Sequence, residues 1–361
     1  MSPLGPRTKR LLRDLESGGI DYLLVTELSN VRYLTGFSGS NGLALVGPDL
    51  RLFVTDFRYV EQAAVEVDPE FERGQASGEL VRAISGPLDG PGPLRLGFDD
   101  AHVSVRTHAK LRELLPGPIE LVAGAGLVEA RRRVKEPAEV ERIAAAAGLA
   151  GEALEEVLAR GVMGRTEREL GLALEVAMRT CGATAPSFPP IIAAGSHGAL
   201  PHAEPRDVTV QAGDLLVVDW GAVLDGYCSD CTRTFAVGPP AGQAEEVYEL
   251  VLAANGAGLA AVRAGAGGRE VDQAARRVIT DAGYGEQFGH GLGHGVGLET
   301  HEGPGLSPRS DDVLEAGNVV TVEPGIYLPG QFGVRIEDLV VVGADGCEVL
   351  TGLGKDLRVV G

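Results

Sequence analysis

The sequence predicts an α+β protein in two parts: a smaller α/β domain over residues 1–130 and a larger α+β domain over 131–361. Three observations carry this. A chain of 361 residues, 44% hydrophobic and 23% charged, has globular composition and more length than one core usually fills. The first 128 residues alternate helical and strand-like segments. From Val134 the texture changes to long helix-forming runs and then strand pairs, grouped in blocks rather than alternating.

In chain order, Lys9 to Ser17 is amphipathic and stops at Gly18-Gly19. Residues 20–25 (IDYLLV), 43–46 (LALV) and 51–55 (RLFVT) are predicted strands set off by turn residues. The stretch GPLDGPGP at 86–93 punctuates this part. In VKEPAEVERIAAAAGLAGEALEEVLARG, Pro137 opens a long helix, at the position where a missing N–H costs nothing. Helices are predicted again over 166–180, 244–263 and 269–282. Hairpin-like strands are predicted over 214–237, and strands from the last helix to the end. No short-period repeat is present.

The formal net charge is −19, unevenly spread: 13 basic against 17 acidic residues lie in the first 128, and 19 against 34 in the rest. Such a field repels phosphate backbones and anionic lipid, so neither nucleic acid nor a membrane surface is an expected partner. The opening MSPLGPRTKRLLRDLESGGI has no apolar core or cleavage-like site, and no apolar run approaches the roughly 20 residues of a membrane span. A cytoplasmic location is expected. Cys228 and Cys231 form a C-x-x-C, but on a predicted strand they point to opposite faces and cannot chelate one ion.

Chemistry concentrates in three segments. In LLVVDWGAVLDGYCSDCTRTF, two strand-like runs flank Asp225-Gly226, a hairpin turn signal. Pairing about a loop centred between Leu224 and Asp225 would set Asp219 opposite Asp230, with Cβ atoms about 4.5–5.5 Å apart. Two carboxylates that close in a partly buried site need a shared proton, an Arg or a metal. In NVVTVEPGIYLPGQFGVRIEDLVVV, pairing about Gly330 sets Glu323 opposite Glu337, unless Pro324-Gly325 introduces a bulge. Four such charges are what two divalent cations neutralise, with a bridging hydroxide as nucleophile.

Histidine adds the third segment. Five of the seven His lie between 197 and 301. FGHGLGHGVGLETHE has Gly at 289, 291, 293, 295 and 297, which excludes a helix at about 1 kcal/mol per Gly. An extended segment would put Phe288, His290, Leu292, His294, Val296 and Leu298 on one face. His290 and His294 would then be about 13 Å apart, so one is the ligand candidate and the other faces substrate. A phosphate loop is disfavoured, because no Lys-Ser/Thr follows. Oxygen and imidazole donors suit Mn, Co, Zn or Fe.

DWGAVLDGYCSDCTRTF, GHGLGHGVGLETHE, TVEPGIY and VRIED resemble, in order, the metal-binding motifs of the pita-bread metallopeptidases, which include methionine aminopeptidase, prolidase and aminopeptidase P. The resemblance runs from about Val134 to the C-terminus. It implies a pita-bread (creatinase/aminopeptidase) domain over 131–361 behind a creatinase-like domain over 1–130. It also implies two divalent ions per chain, Mn by family expectation: Asp219 on one, His294 and Glu323 on the other, Asp230 and Glu337 bridging. Methionine aminopeptidases lack such an N-terminal domain, and creatinase-like members have lost ligands that this chain keeps. NVRYLTGFSGSNG (30–42) and TDFRYVEQA (55–63) resemble the aminopeptidase P pattern more than that of prolidase, with Phe57 departing where relatives commonly have Gly.

The implied substrate is a peptide with proline in second position. Glu323 is the expected general base, His290 and His301 are expected to contact substrate and the tetrahedral intermediate, and His202 in GALPHAEP to line the proline side. Arg335, two residues before Glu337 on its strand, is expected to brace a ligand carboxylate and to meet substrate. His197 is expected to face solvent and Trp220 to lie in the core. The alternatives are an Xaa-Pro dipeptidase, a broader aminopeptidase that also removes Met, and a non-catalytic peptide-binding protein. Related proteins are often homodimers.

Overall fold

Apolar runs separated by turn residues build a six-stranded sheet in the first unit of the chain, Met1–Arg132. The computed structural model describes residues 5–89, 93–124, 126–240 and 242–361, so part of GPLDGPGP lies outside the described residues. The sheet runs in the order Glu72–Ala76, Arg51–Asp56, Gly42–Val46, Tyr22–Val25, Leu94–Phe98, Ile119–Ala123. Gly42–Val46 is antiparallel to both neighbours and the other pairs are parallel. The second, third and fourth strands in this order are those the sequence predicts. ERGQA at 72–76 has no apolar alternation and becomes a strand because Arg51–Asp56 offers it a ladder. Helix Gly5–Gly18 ends where Gly19 takes φ 62°.

The second unit, Arg133–Gly361, is α+β in two halves, each a helix pair laid on a sheet. In one half, Pro137–Ala159 and Glu167–Thr180 cover strands Ile191–Ala194, Leu215–Trp220, Cys231–Val237 and Val359–Val360. Pro137 is at the helix start, and the Thr166 hydroxyl and Glu169 carboxylate cap the second helix reciprocally. Leu154, Leu170, Leu174, Val218, Trp220 and Phe235 fill this core. In the other half, Gly242–Ala261 and Gly268–Asp281 cover a sheet ordered Glu302–Leu306, Gly293–Gly295, Val319–Val322, Asp338–Val342, Cys347–Val349. Val251, Ile279, Leu292, Val322, Ile336 and Val340 fill that core. No helix among the described residues is long and apolar enough to cross a membrane.

Trp220 is fully buried and its indole N–H donates to Ala150 O at 2.8 Å, as a core residue. Cys228 and Cys231 are both free; they lie on different strands, separated by Ser229-Asp230, and pack into different cores.

Candidate metal centre

Hairpin geometry decides where the acids point. Asp225 and Gly226 both take positive φ, 49° and 80°, the two-residue turn whose twist suits paired strands. The loop is therefore centred between these two residues, one position later than the sequence reading placed it. Asp219 faces Thr232 across the ladder, not Asp230. A register shift of two preserves the face, so Asp230 still flanks Asp219, as a diagonal neighbour. The second hairpin has the register expected: Val322 pairs with Asp338 and Gly325 with Arg335, on either side of Glu323 and Glu337. Pro324 interrupts that ladder without shifting it.

The glycine-histidine segment is a strand only over Gly293–Gly295. Phe288 and Leu292 enter the hydrophobic core while His290 and His294 line the cavity, so these residues do not share one face. Gly291, Gly293, Gly295 and Gly297 serve close approach instead. A Cβ on Gly293 would collide with the Thr321 carbonyl.

These segments converge on one cavity of about 480 Å³, walled on its apolar side by Phe188, Pro189, Pro190 and Pro205. Asp230, His294 and Glu337 each present a ligand atom, all within 4.8 Å of one another. His294 Nε2 lies 3.6 Å from Asp230 Oδ2 and 3.5 Å from Glu323 Oε1. His294 Nδ1 meets the Gly295 carbonyl at 3.1 Å, so Nδ1 carries the proton and Nε2 presents its lone pair to the acids. Asp219 accepts from Arg335 Nη2 through Oδ2 at 2.6 Å, and its buried Oδ1 has no partner.

Electrostatics point the same way. Burial pushes the Glu323 carboxyl up to about 8, with the Asp219 charge adding and Arg335 opposing. Burial and the neighbouring carboxylates push Asp230 and Glu337 well above the usual range. One guanidinium does not neutralise four clustered acids, three of them buried. A set of oxygen and imidazole donors, with the buried Asp219 Oδ1 left without a partner, fits divalent cations.

The supporting residues fill in the expectations and correct some of them. The carboxylate that Arg335 braces is that of Asp219, and the guanidinium also donates to Thr232 Oγ1, Pro201 O and Tyr327 Oη. Four of its five N–H groups are thus engaged by protein groups, and its side chain also lines the cavity. His290 Nδ1 donates to Gly291 O at 2.7 Å and Nε2 accepts from Tyr327 Oη at 2.9 Å. Burial lowers this imidazole to about 4, so it is neutral and offers the cavity no free N–H. His202 and His301 line the cavity without a hydrogen bond among the described residues, which leaves their nitrogens for a ligand. His197 is buried against the Glu167 carboxylate at 2.9 Å, joining Arg206 and the Ala194 N–H around that fully buried acid; it does not face solvent.

Other residues at the site escaped the sequence reading. Thr232 Oγ1 donates to Glu337 Oε2 at 2.7 Å, and nothing marks it in the sequence. Asp272 accepts from Leu292 N, while Arg276 donates to the Phe288 and His290 carbonyls. This pair, four apart on a helix, carried a readable signal.

The chain matches the model described as metallopeptidase family M24 over residues 141–344 and the creatinase/prolidase N-terminal domain over 7–134. It is 34% identical to the Xaa-Pro dipeptidase of Pyrococcus horikoshii over 99% of this chain and 100% of that one. Among solved structures, Xaa-Pro dipeptidase from Bacillus anthracis aligns with TM-score 0.94 at 40% identity, covering 99% of each chain. X-Pro aminopeptidase from Thermotoga maritima aligns with TM-score 0.89 at 37% identity, covering 98% of this chain and 100% of that one.

Proposed function

Because the chain belongs to metallopeptidase family M24 and has its pita-bread fold, behind a creatinase/prolidase N-terminal domain, we propose that it hydrolyses the bond between an N-terminal residue and a following proline. The N-terminal motifs resemble the aminopeptidase pattern, yet the activities named for the Pyrococcus and Bacillus relatives favour the dipeptide. The proposal is therefore an Xaa-Pro dipeptidase, and the Thermotoga relative keeps longer peptides as the second reading.

The observation that carries it is the meeting of Asp219, Asp230, His294, Glu323 and Glu337 in one cavity, with Asp219 Oδ1 unpartnered. Asp219 would hold one ion, His294 and Glu323 a second, with Asp230 and Glu337 shared. Two divalent ions, Mn before Co, Zn or Fe, would supply carbonyl polarisation and lower the pKa of the attacking water.

The chain's own residues do the rest. A proline amide nitrogen has no hydrogen to offer, so recognition falls to shape, and Phe188, Pro189, Pro190 and Pro205 supply an apolar wall. Glu323 Oε1 accepts from Thr321 Oγ1 at 3.2 Å, which leaves Oε2 to take the proton of the attacking water and pass it to the leaving nitrogen. His301 would donate to the developing oxyanion and His202 would meet the proline side; both line the cavity. Arg335 and Thr232 hold Asp219 and Glu337 in position.

Product analysis on an Xaa-Pro dipeptide and an Xaa-Pro-Yaa tripeptide, with protein stripped by chelator and then loaded with Mn²⁺, tests the reading. Metal-dependent cleavage of the dipeptide is expected. Cleavage of the tripeptide alone would return the assignment to aminopeptidase, and no cleavage of either would overturn it.

A further inference from the structure

The strands that carry Glu323 and Glu337 part where those residues turn into the cavity. Ladder pairing ends at Val322–Asp338 on one side and resumes at Gly325–Arg335 on the other. The peptide groups between must find other partners, because buried backbone donors and acceptors are rarely left unpaired. The N–H of Glu323 donates to Leu292 O at 2.8 Å, and that of Glu337 to Thr232 O at 3.1 Å. Each acid is thereby tied to the segment that holds His294 or Asp230.

The carbonyls of those same two peptide bonds belong to Val322 and Ile336, and both turn to a single side chain. Asn255 Nδ2 donates to Val322 O at 2.9 Å and to Ile336 O at 3.3 Å. Asn255 is fully buried on helix Gly242–Ala261. Its Oδ1 accepts from Lys355 Nζ at 2.9 Å, and Lys355 also reaches Asp338 Oδ2 at 2.6 Å. Every hydrogen-bonding direction of the planar amide except one lone pair is therefore accounted for. One rigid group holds, at a set separation, the two peptide bonds from which the acids project.

Resting on the reading of Glu323 and Glu337 as ligands of a metal pair, we propose that Asn255 is a positioning residue. By bridging the peptide carbonyls that precede the two acids, it sets their spacing and hence the affinity of the centre for divalent ions. It touches neither metal nor substrate; it acts through the backbone.

The test is Mn²⁺ binding to chelator-treated protein by titration calorimetry, without substrate. Asn255→Asp keeps the shape and the acceptor for Lys355 but turns an oxygen toward the two carbonyls. Asn255→Ala removes the bridge without adding charge. Both should keep the wild-type far-UV circular dichroism, bind Mn²⁺ at least tenfold more weakly, and regain turnover when Mn²⁺ is raised. Lys355→Met cuts the same network one bond further out and should bind within threefold of wild type. Wild-type affinity in the two Asn255 variants, or an equal loss in Lys355→Met, overturns the positioning role. So does unfolding of both Asn255 variants, which assigns the residue to the fold alone. A wild-type chain that binds no Mn²⁺ would instead sink the metal reading on which this inference rests.

Discussion

Individual residues at this site owe their roles to what their second atoms do. His294 is a ligand candidate because its other nitrogen is spent on Gly295 O, and His290 is a poor donor because both of its nitrogens are spent. Their spacing on an extended segment ranks the two alike, and only the motif resemblance separates them in the sequence. Glu323→Ala should abolish turnover of Xaa-Pro substrates while circular dichroism stays native; wild-type rates in that variant would remove Glu323 from the mechanism. His294→Ala should lower the metal retained after dialysis, read by elemental analysis. Thr232→Val keeps the side-chain shape but removes the hydroxyl between Glu337 and Arg335. Loss of such a supporting bond typically weakens metal binding about 10–100-fold, and calorimetry that finds no loss would show the hydroxyl to be dispensable.

Elements show where local pattern suffices and where it does not. Asp-Gly and Pro-Gly turns mark both hairpins, and strand parity puts their acids on one face even where the register is two residues off. The first unit's sheet offers a separate prediction. Asp99 follows strand Leu94–Phe98 and accepts from the N–H groups of Thr26 and Glu27 at the end of the parallel strand Tyr22–Val25. Burial raises its carboxyl to about 6 despite those two bonds. A carboxyl raised on folding contributes stability that is complete below its unfolded pKa and lost as pH rises through the folded value. At about 1.4 kcal/mol per pKa unit, the loss between pH 4 and 7 is on the order of 2–3 kcal/mol. Asp99→Asn keeps an acceptor and cannot ionise. Its urea midpoint relative to wild type should therefore rise across that window, and a pH-independent difference would refute the assignment.

For the whole molecule, the acidic excess of residues beyond 128 has a local focus. Carboxyls whose hold on protons is raised by burial and by one another, as at Glu323, Asp230 and Glu337, must release those protons when cations enter. Mn²⁺ binding should therefore tighten as pH rises toward 8, and its calorimetric heat should depend on the buffer's ionisation enthalpy. A heat independent of buffer would mean that the acids are already ionised. Bound metal should also stabilise the fold, by about 2.7 kcal/mol at a free concentration of 100 Kd.

The sequence by itself determined the α+β class, the hairpin turns and the four candidate acids, because turn chemistry and strand parity are local properties, and the resemblance of its motifs to a known family added His294 as the fifth candidate ligand. Tertiary structure alone decided the bracing of Asp219 by Arg335, the burial of His197 on Glu167, the capture of His290 by Tyr327 and the bridge made by Asn255. Those contacts join residues 116, 30, 37 and 67 positions apart. No periodicity within a strand or helix encodes a partner at that distance; it is chosen only when packed sheets bring the two side chains out of water together.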